Sequence, residues 1–370
     1  MIMNVFKKVV FFAILVTLVV SFCSLEARTQ SLTGRARPYF RGARTEMQGQ
    51  RFELALDRFK QVLEHQPDHV ESRWRTANLY FMFAGEESDD ATARDMYRIA
   101  YNHFRICIET ITNMPDWQRF TDFDSWLEDC ELKIQSIGVR FFRMGHELYQ
   151  EEDFDGAVVV LYELIDLAPE KSETYILLAS IADQRGDIPQ AITYFSRILE
   201  FEPTNIQVIA NIATEYQKLD DWVNAKLFYQ KVIDVEPDNV FGHFNMAVAN
   251  LQTDNYEAAL SNWEAALRIE PDDLDLLNNA IRTAQSLGND DKVIEFLKRM
   301  IEIEETVENV ADLCYQLIRV HRWEDLITYG RLWHQLDPTS RDAVQFVMHA
   351  ANQTNNQALA REFQEILSRM

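Results

Sequence analysis

Apolar residues along this chain recur at helical steps, and the whole pattern repeats every 34 residues. With Pro169, Pro203, Pro237 and Pro271 set as position 32 of each period, position 20 reads Ala157, Ala191, Ala225 and Ala259. Position 24 reads Leu161, Phe195, Tyr229 and Trp263, and position 27 reads Leu164, Ile198, Val232 and Ala266. Position 8 is always small: Gly145, Ala179, Ala213 and Ala247. A small residue lets a neighbouring helix approach, and a large one four residues further on lies on the same face and fills the gap. The proline cannot continue a helix, so each period predicts two amphipathic helices, A and B, with B ending at the proline.

Counting on from Pro271 reaches Glu305, where the proline is lost but Leu277, Ala280, Leu297 and Met300 keep the pattern. The next period ends one residue short, at Pro338, and a last one runs from Arg341 to Met370. Counting back, Pro67 closes a good period with Tyr39, Gly42, Ala43, Ala55, Phe59 and Val62. Between Pro67 and Gly138 the fit is poorer. Trp74, Ala77 and Phe81 predict a helix A, and Ala93, Tyr97 and Ala100 a helix B that runs on to about Thr112, after a longer turn at residues 85–90. The acidic, aromatic segment that follows, with Trp117, Phe123 and Trp126, reads as an inserted or degenerate unit.

This alternation of small, aromatic and proline positions resembles the tetratricopeptide repeat family. The resemblance implies an all-α fold, a right-handed α-solenoid of about eight or nine stacked helix-turn-helix repeats. The expected organisation is an N-terminal repeat and a degenerate one over 34–115, an inserted helical segment over 116–137, a regular array over 138–338 and a partial repeat over 339–370. A repeat array is quasi-one-dimensional, so length does not divide it into ordinary domains.

Residues 1–27 read differently. Lys7 and Lys8 precede an uncharged apolar run over 9–22 and then Cys23, Ser24, Leu25, Glu26 and Ala27, the layout of a secretory signal. The run is shorter than the roughly 20 residues of a membrane helix. Export to the periplasm or envelope is the expectation. The alternatives are an N-terminal anchor, which Arg28, Arg35, Arg37, Arg41 and Arg44 favour by retaining positive charge on the cytoplasmic side, and lipidation at Cys23. Membrane contact is expected only through that segment.

Charge is divided unevenly. Residues 28–60 carry eight Lys or Arg against three Asp or Glu, whereas residues 61–370 carry 26 against 55. So acidic an array repels phosphate backbones, which excludes nucleic acid as a partner. Beyond Cys23, Cys107, Cys130 and Cys314 form no disulfide framework. They read as free core thiols, or as a Cys107–Cys130 pair in an oxidising compartment.

Candidate chemistry is sparse. Phosphate-binding glycine loops, zinc-protease helices and Cys-x-x-Cys pairs are absent from the sequence, and Pro67 breaks the His65/His69 spacing. No catalytic residue, metal ligand or cofactor is expected. What the family resemblance supplies is a groove lined by helix A positions 2, 5, 9 and 12. Carried onto this chain, it nominates Phe142, His146 and Tyr149; Gln207, Thr214 and Gln217; Phe241, Phe244 and Leu251; and Asn278, Arg282 and Gln285. The pattern by which some members clamp a terminal carboxylate, Lys at position 5 with Asn at 9, is missing: those pairs read Phe142/His146, Ile176/Ser180, Ala210/Thr214 and Phe244/Val248. The expected function is a non-enzymatic scaffold that binds a protein or peptide, with oligomerisation open. The alternatives are a structural subunit of an envelope or transport assembly docking through the solenoid ends, and an accessory that holds a small ligand.

Overall fold

A computed structural model describes residues 30–115, 117–119 and 122–370. The proposed signal segment and Cys23 lie outside the described residues. The chain forms two compact units, divided between Thr174 and Tyr175. Within the first lie α1 (Ala36–Gln48), α2 (Phe52–His65), α3 (Val70–Glu86), α4 (Asp90–Thr112), α5 (Phe123–Gln150) and α6 (Phe154–Leu167). Then come α7 (Ser172–Gln184), α8 (Ile188–Leu199), α9 (Ile206–Lys218), α10 (Trp222–Val235), α11 (Val240–Leu251) and α12 (Tyr256–Ile269). The chain closes with α13 (Leu274–Ser286), α14 (Asp290–Ile303), α15 (Val307–Arg319), α16 (Trp323–Leu336), α17 (Arg341–Gln353) and α18 (Gln357–Arg369). The expected all-α repeat fold is the one observed: these 18 helices make nine consecutive pairs, and no strand occurs among the described residues.

The ends of these helices are set by polar caps. Asp153, Asp187, Asp221, Asn255 and Asn289 accept from the backbone N–H three residues on and start helices B. Asn205, Asn239, Asp273, Thr306 and Ser340 do the same for helices A. Each such cap contributes about 1 kcal/mol. The residue before each helix B cap has positive φ at Gln50, Glu152, Gly186, Asp220, Asp254, Gly288, His321 and Asn355, between 54° and 74°. Only Gly186 and Gly288 adopt it without steric cost. The turn is therefore a feature of the repeat's geometry, held by packing on both sides, and residue type only modulates it.

The position 20, 24 and 27 residues are buried as the pattern requires: Ala157, Ala191, Ala225 and Ala259 are fully inaccessible, as are Leu164, Ile198, Val232 and Ala266. In the second unit one core runs without a break from Ala247 on α11 to Ala350 on α17. The apolar stripe of α18 is largely covered by α17, with Leu359 and Phe363 buried and Ile366 and Leu367 packed at their margin.

The interval after Pro67 differs from the sequence expectation in two ways. The extra residues near 85–90 lengthen α3 to 17 residues, and the turn after it is as short as elsewhere. The segment expected to be an insert over 116–137 does not stand apart: α5 is a single 28-residue helix that crosses the expected boundary at 138 unbroken. Its first half buries Trp126, Cys130 and Ile137 in one core with Phe104, Cys107 and Ile111 of α4. Its apolar spacing continues in phase across Gly138, so nothing interrupts it.

His103 of α4 gives this unit a pH dependence. Arg73 approaches its Nδ1 at 3.4 Å and Tyr80 stacks on the ring at 6.3 Å. Burial, then the positive charges of Arg73 and Lys60, push its pKa down to about 4. The unfolded chain takes up a proton on this ring below about pH 6.5 while the folded chain does not until about 4, so stability is full above that window and falls through it. Acid unfolding followed by circular dichroism should lose up to roughly 3 kcal/mol across the window. His103→Gln should flatten that part of the profile; an unchanged profile would show that the ring is solvated. His69, buried and shifted the same way, adds a smaller contribution of the same sign.

Candidate groove on the helix A faces

In the first unit the nominated α5 residues come together. Phe142, His146 and Tyr149 are spaced to lie on one helix face. Their ring centroids are 6.2 and 6.3 Å apart, and Phe154 extends the row at 5.7 Å. Lys171 places its ammonium 5.1 Å from the Phe142 ring. All three are half-buried, and Val139, one turn before Phe142, is 60% exposed. The row is an apolar ledge with a cation over one end.

In the second unit three nominated residues meet around a residue that was not nominated, Tyr229 of α10. Its hydroxyl donates to Gln217 Oε1 at 2.7 Å, and its ring meets Phe241 edge-on at 6.1 Å. Burial raises the phenol's pKa, and a hydrogen bond with Thr214 partly offsets the shift. Gln207, one turn before Asn211, is exposed and donates to it at 3.0 Å. Tyr229 is thus a post that ties α9 to α11, and Phe241, 47% exposed, projects beside it.

The apolar patch expected on α11 is only partly presented. Phe244 stands edge-on to Trp263 at 5.1 Å, and Val248 and Leu251 also pack against the main core. Phe241 is left as its exposed member. On α13 the side chains of Asn278, Arg282 and Gln285 are exposed in one row, with no partner among the described residues. Further along, Tyr315 of α15 is 47% exposed and donates to Asp342 of α17 at 2.8 Å. Asp312, on the same helix, has its pKa raised by burial and then by Glu308, and with Glu308 and Asp342 it makes this stretch acidic. Arg319 is turned away from it, onto Asp290 and Gln316.

One set of groove positions had escaped the count. In the helix that starts at Val70, positions 2, 5, 9 and 12 are Glu71, Trp74, Asn78 and Phe81. The first half of α5 covers them: Trp126 stacks on Trp74 at 5.4 Å, and Asp129 accepts from the Trp74 indole at 2.7 Å and from Asn78 at 3.2 Å. Lys133 closes the set, bound to Asp129 at 2.5 Å and lying 5.8 Å from the Phe81 ring. Counting from Val70 would have found the four positions; their occupation by α5 follows only from its continuity. The cavity beside them, lined by Met47, Phe52, Trp74 and Met82, holds about 10 Å³, no more than one water.

Among the described residues no cluster of His, Cys, Asp or Glu is arranged to hold a metal ion, and no helix is long and apolar enough to cross a membrane. Paired helices, most of them started by a polar cap, with side chains presented from successive helices A, define an α-helical repeat protein. Family models agree. The tetratricopeptide repeat is matched over residues 40–101 and 148–213, and the coatomer epsilon subunit over 220–316. The chain thus carries tetratricopeptide repeats, a repeat whose proteins work in general as protein-interaction scaffolds.

Solved structures of similar local form include MamA, at 17% identity with a TM-score of 0.39 over 44% of this chain and 95% of the other. MamA from residue 41 onward of Desulfovibrio magneticus RS-1 aligns at 16% and 0.35 over 46% and 97%. Pseudomonas aeruginosa pilF aligns at 13% and 0.38 over 58% and 97%. No curated protein matches the sequence significantly.

Proposed function

We propose that this protein is a non-enzymatic scaffold of the cell envelope that binds an extended protein segment along the helix A faces of α9, α11 and α13. The observation that carries this reading is the presentation of Phe241: an exposed aromatic ring, braced by the Tyr229–Gln217 hydrogen bond. Amides and a cation flank it on the neighbouring helices A. A rigid aromatic anchor ringed by adaptable polar groups is the arrangement in which a few residues dominate binding. Asn278, Gln285 and Gln207 can pair with the peptide groups of an extended chain, which offers donors and acceptors at regular spacing. The acidic stretch around Asp312 and Asp342 favours a partner segment that is neutral or basic. Export is proposed on the segment over residues 1–27, and its retention as an anchor would leave the same groove in use.

Photo-cross-linking in the native organism, followed by a binding titration on the partner recovered, tests the groove. A photoreactive side chain at Phe241 should give a discrete adduct, and one at the exposed Ser261 of α12 should not. Phe241→Ala should then weaken the purified complex by about tenfold or more, whereas Ser261→Ala should leave it unchanged. Equal adducts at both positions, or equal affinities, would overturn the assignment.

A further inference from the structure

Two buried thiols in the first unit have no part in the groove. Cys107, on the C-terminal half of α4, and Cys130, on the N-terminal half of α5, are both completely inaccessible. They share one core with Phe104, Ile111, Trp126 and Ile137, and each thiol lies near enough to the other for the two to interact. The two helices are consecutive in the chain and pack on each other, and Cys107 and Cys130 lie in the core between them. Cys314, buried in the other unit, has no cysteine beside it among the described residues.

We propose that Cys107 and Cys130 are a disulfide site that staples α4 to α5 when the chain folds in the presence of a disulfide acceptor. In the reaction the two S–H bonds break and one S–S bond forms. The two protons and two electrons pass to the acceptor, an oxidised thiol–disulfide oxidoreductase or oxidised glutathione, whose own disulfide becomes two thiols. The bond closes the loop containing the 113–122 connection, and so removes freedom from the unfolded chain at the place where the repeat pattern is least regular.

Burial also fixes when the bond forms. The Cys130 thiol is held protonated, well above its ordinary range, by the interaction with Cys107 and by its surroundings, and attack on a disulfide needs a thiolate. Once packed, the pair neither reacts nor is reached. The redox state met during folding is therefore kept. In an oxidising compartment the chain carries the staple; in a reducing one it carries two thiols.

The test uses the purified full chain, unfolded and reduced, then refolded with and without a mixture of oxidised and reduced glutathione. Each sample is unfolded again in urea at about pH 7 with a maleimide present, then quenched in acid and measured as intact mass, with peptide mapping before reduction. After refolding with glutathione, two cysteines should accept label, Cys23 and Cys314, with a mass loss of about 2 Da before labelling and one linked peptide pair joining Cys107 to Cys130. All four should label in the control. Cys107→Ser should leave Cys130 labelled while circular dichroism shows an unchanged helical fold. The proposal is overturned if all four cysteines label after refolding with glutathione, or if Cys107 and Cys130 are found joined to other cysteines. It stands apart from the groove and from export: a misassigned compartment would leave the pair reduced in cells and still able to close in this buffer.

Discussion

Trp263→Ala should be among the most damaging single substitutions in the second unit, costing about 3–5 kcal/mol in urea unfolding. Trp263 sits at position 24, is 1% exposed and is the largest of the fully buried side chains. It joins three helices: its own α12, α11 through the edge of Phe244 at 5.1 Å, and α13 through an indole N–H that donates to Thr283 Oγ1 at 3.1 Å. Truncation opens a cavity in a core continuous from α11 to α17, and removes a hydrogen bond from a hydroxyl that is itself committed to the Asn279 carbonyl at 2.8 Å. Trp263→Phe separates the two losses. It keeps most of the volume and should cost only about 1–2 kcal/mol, the scale of an unsatisfied buried polar group with a small void. If both variants unfold at the same urea concentration, cavity formation is not what holds α11, α12 and α13 together.

That prediction was within reach of the sequence, because the fold was. Position 24 alternates in bulk with the small residue at position 8, and this complementarity is a local property that a period of 34 makes visible. Turn geometry was less visible. Positive φ falls at one register in eight of the nine pairs, yet only Gly186 and Gly288 announce it; at Glu152, Asp220 or His321 the packing of the two helices imposes the conformation. The irregular interval was hidden for a similar reason. Nothing in the composition of residues 116–137 distinguishes an insertion from the first half of a long helix, because the difference lies in whether the apolar stripe stays in phase across Gly138.

The groove was legible only as positions. Phe241, Asn278, Arg282 and Gln285 are exposed on helices A, while Phe244, Val248 and Leu251, chosen by the same rule, also pack into the core. Tyr229 belongs to helix B, outside any rule for groove positions, and yet it braces Thr214, Gln217 and Phe241. A periodic count gives the face a residue points from. Which neighbour takes it up depends on side-chain reach between repeats, which one sequence does not carry.

Glu71→Ala should be the corresponding lesion in the first unit, again about 3–5 kcal/mol, because it takes from a buried cation the carboxylate that binds it twice. Arg75 Nη2 binds Glu71 Oε1 at 2.7 Å, and Nε binds the same oxygen at 2.8 Å, with side-chain exposures of 8% and 6%. The guanidinium lies 5.4 Å from the Trp74 ring, and burial lowers its pKa against the opposing pull of Glu71. The carboxyl of Asp122 is raised by burial and by Glu71, against the opposing pull of Arg75. Removing both charges should behave differently. Glu71→Leu combined with Arg75→Met removes the ion pair whole and fills space beside the cavity at Met47, Phe52 and Met82, so it should stay within about 1 kcal/mol of the parent or exceed it. Both variants are measured by urea unfolding, with hydrogen exchange to place the loss in α1 to α6. A double variant as damaged as Glu71→Ala would mean that the pair itself stabilises the fold. A harmless Glu71→Ala would mean that water or another group of the chain satisfies Arg75. The expected asymmetry, one charge costly to lose and two nearly free, would show that α5 seals this face and keeps water from the pair.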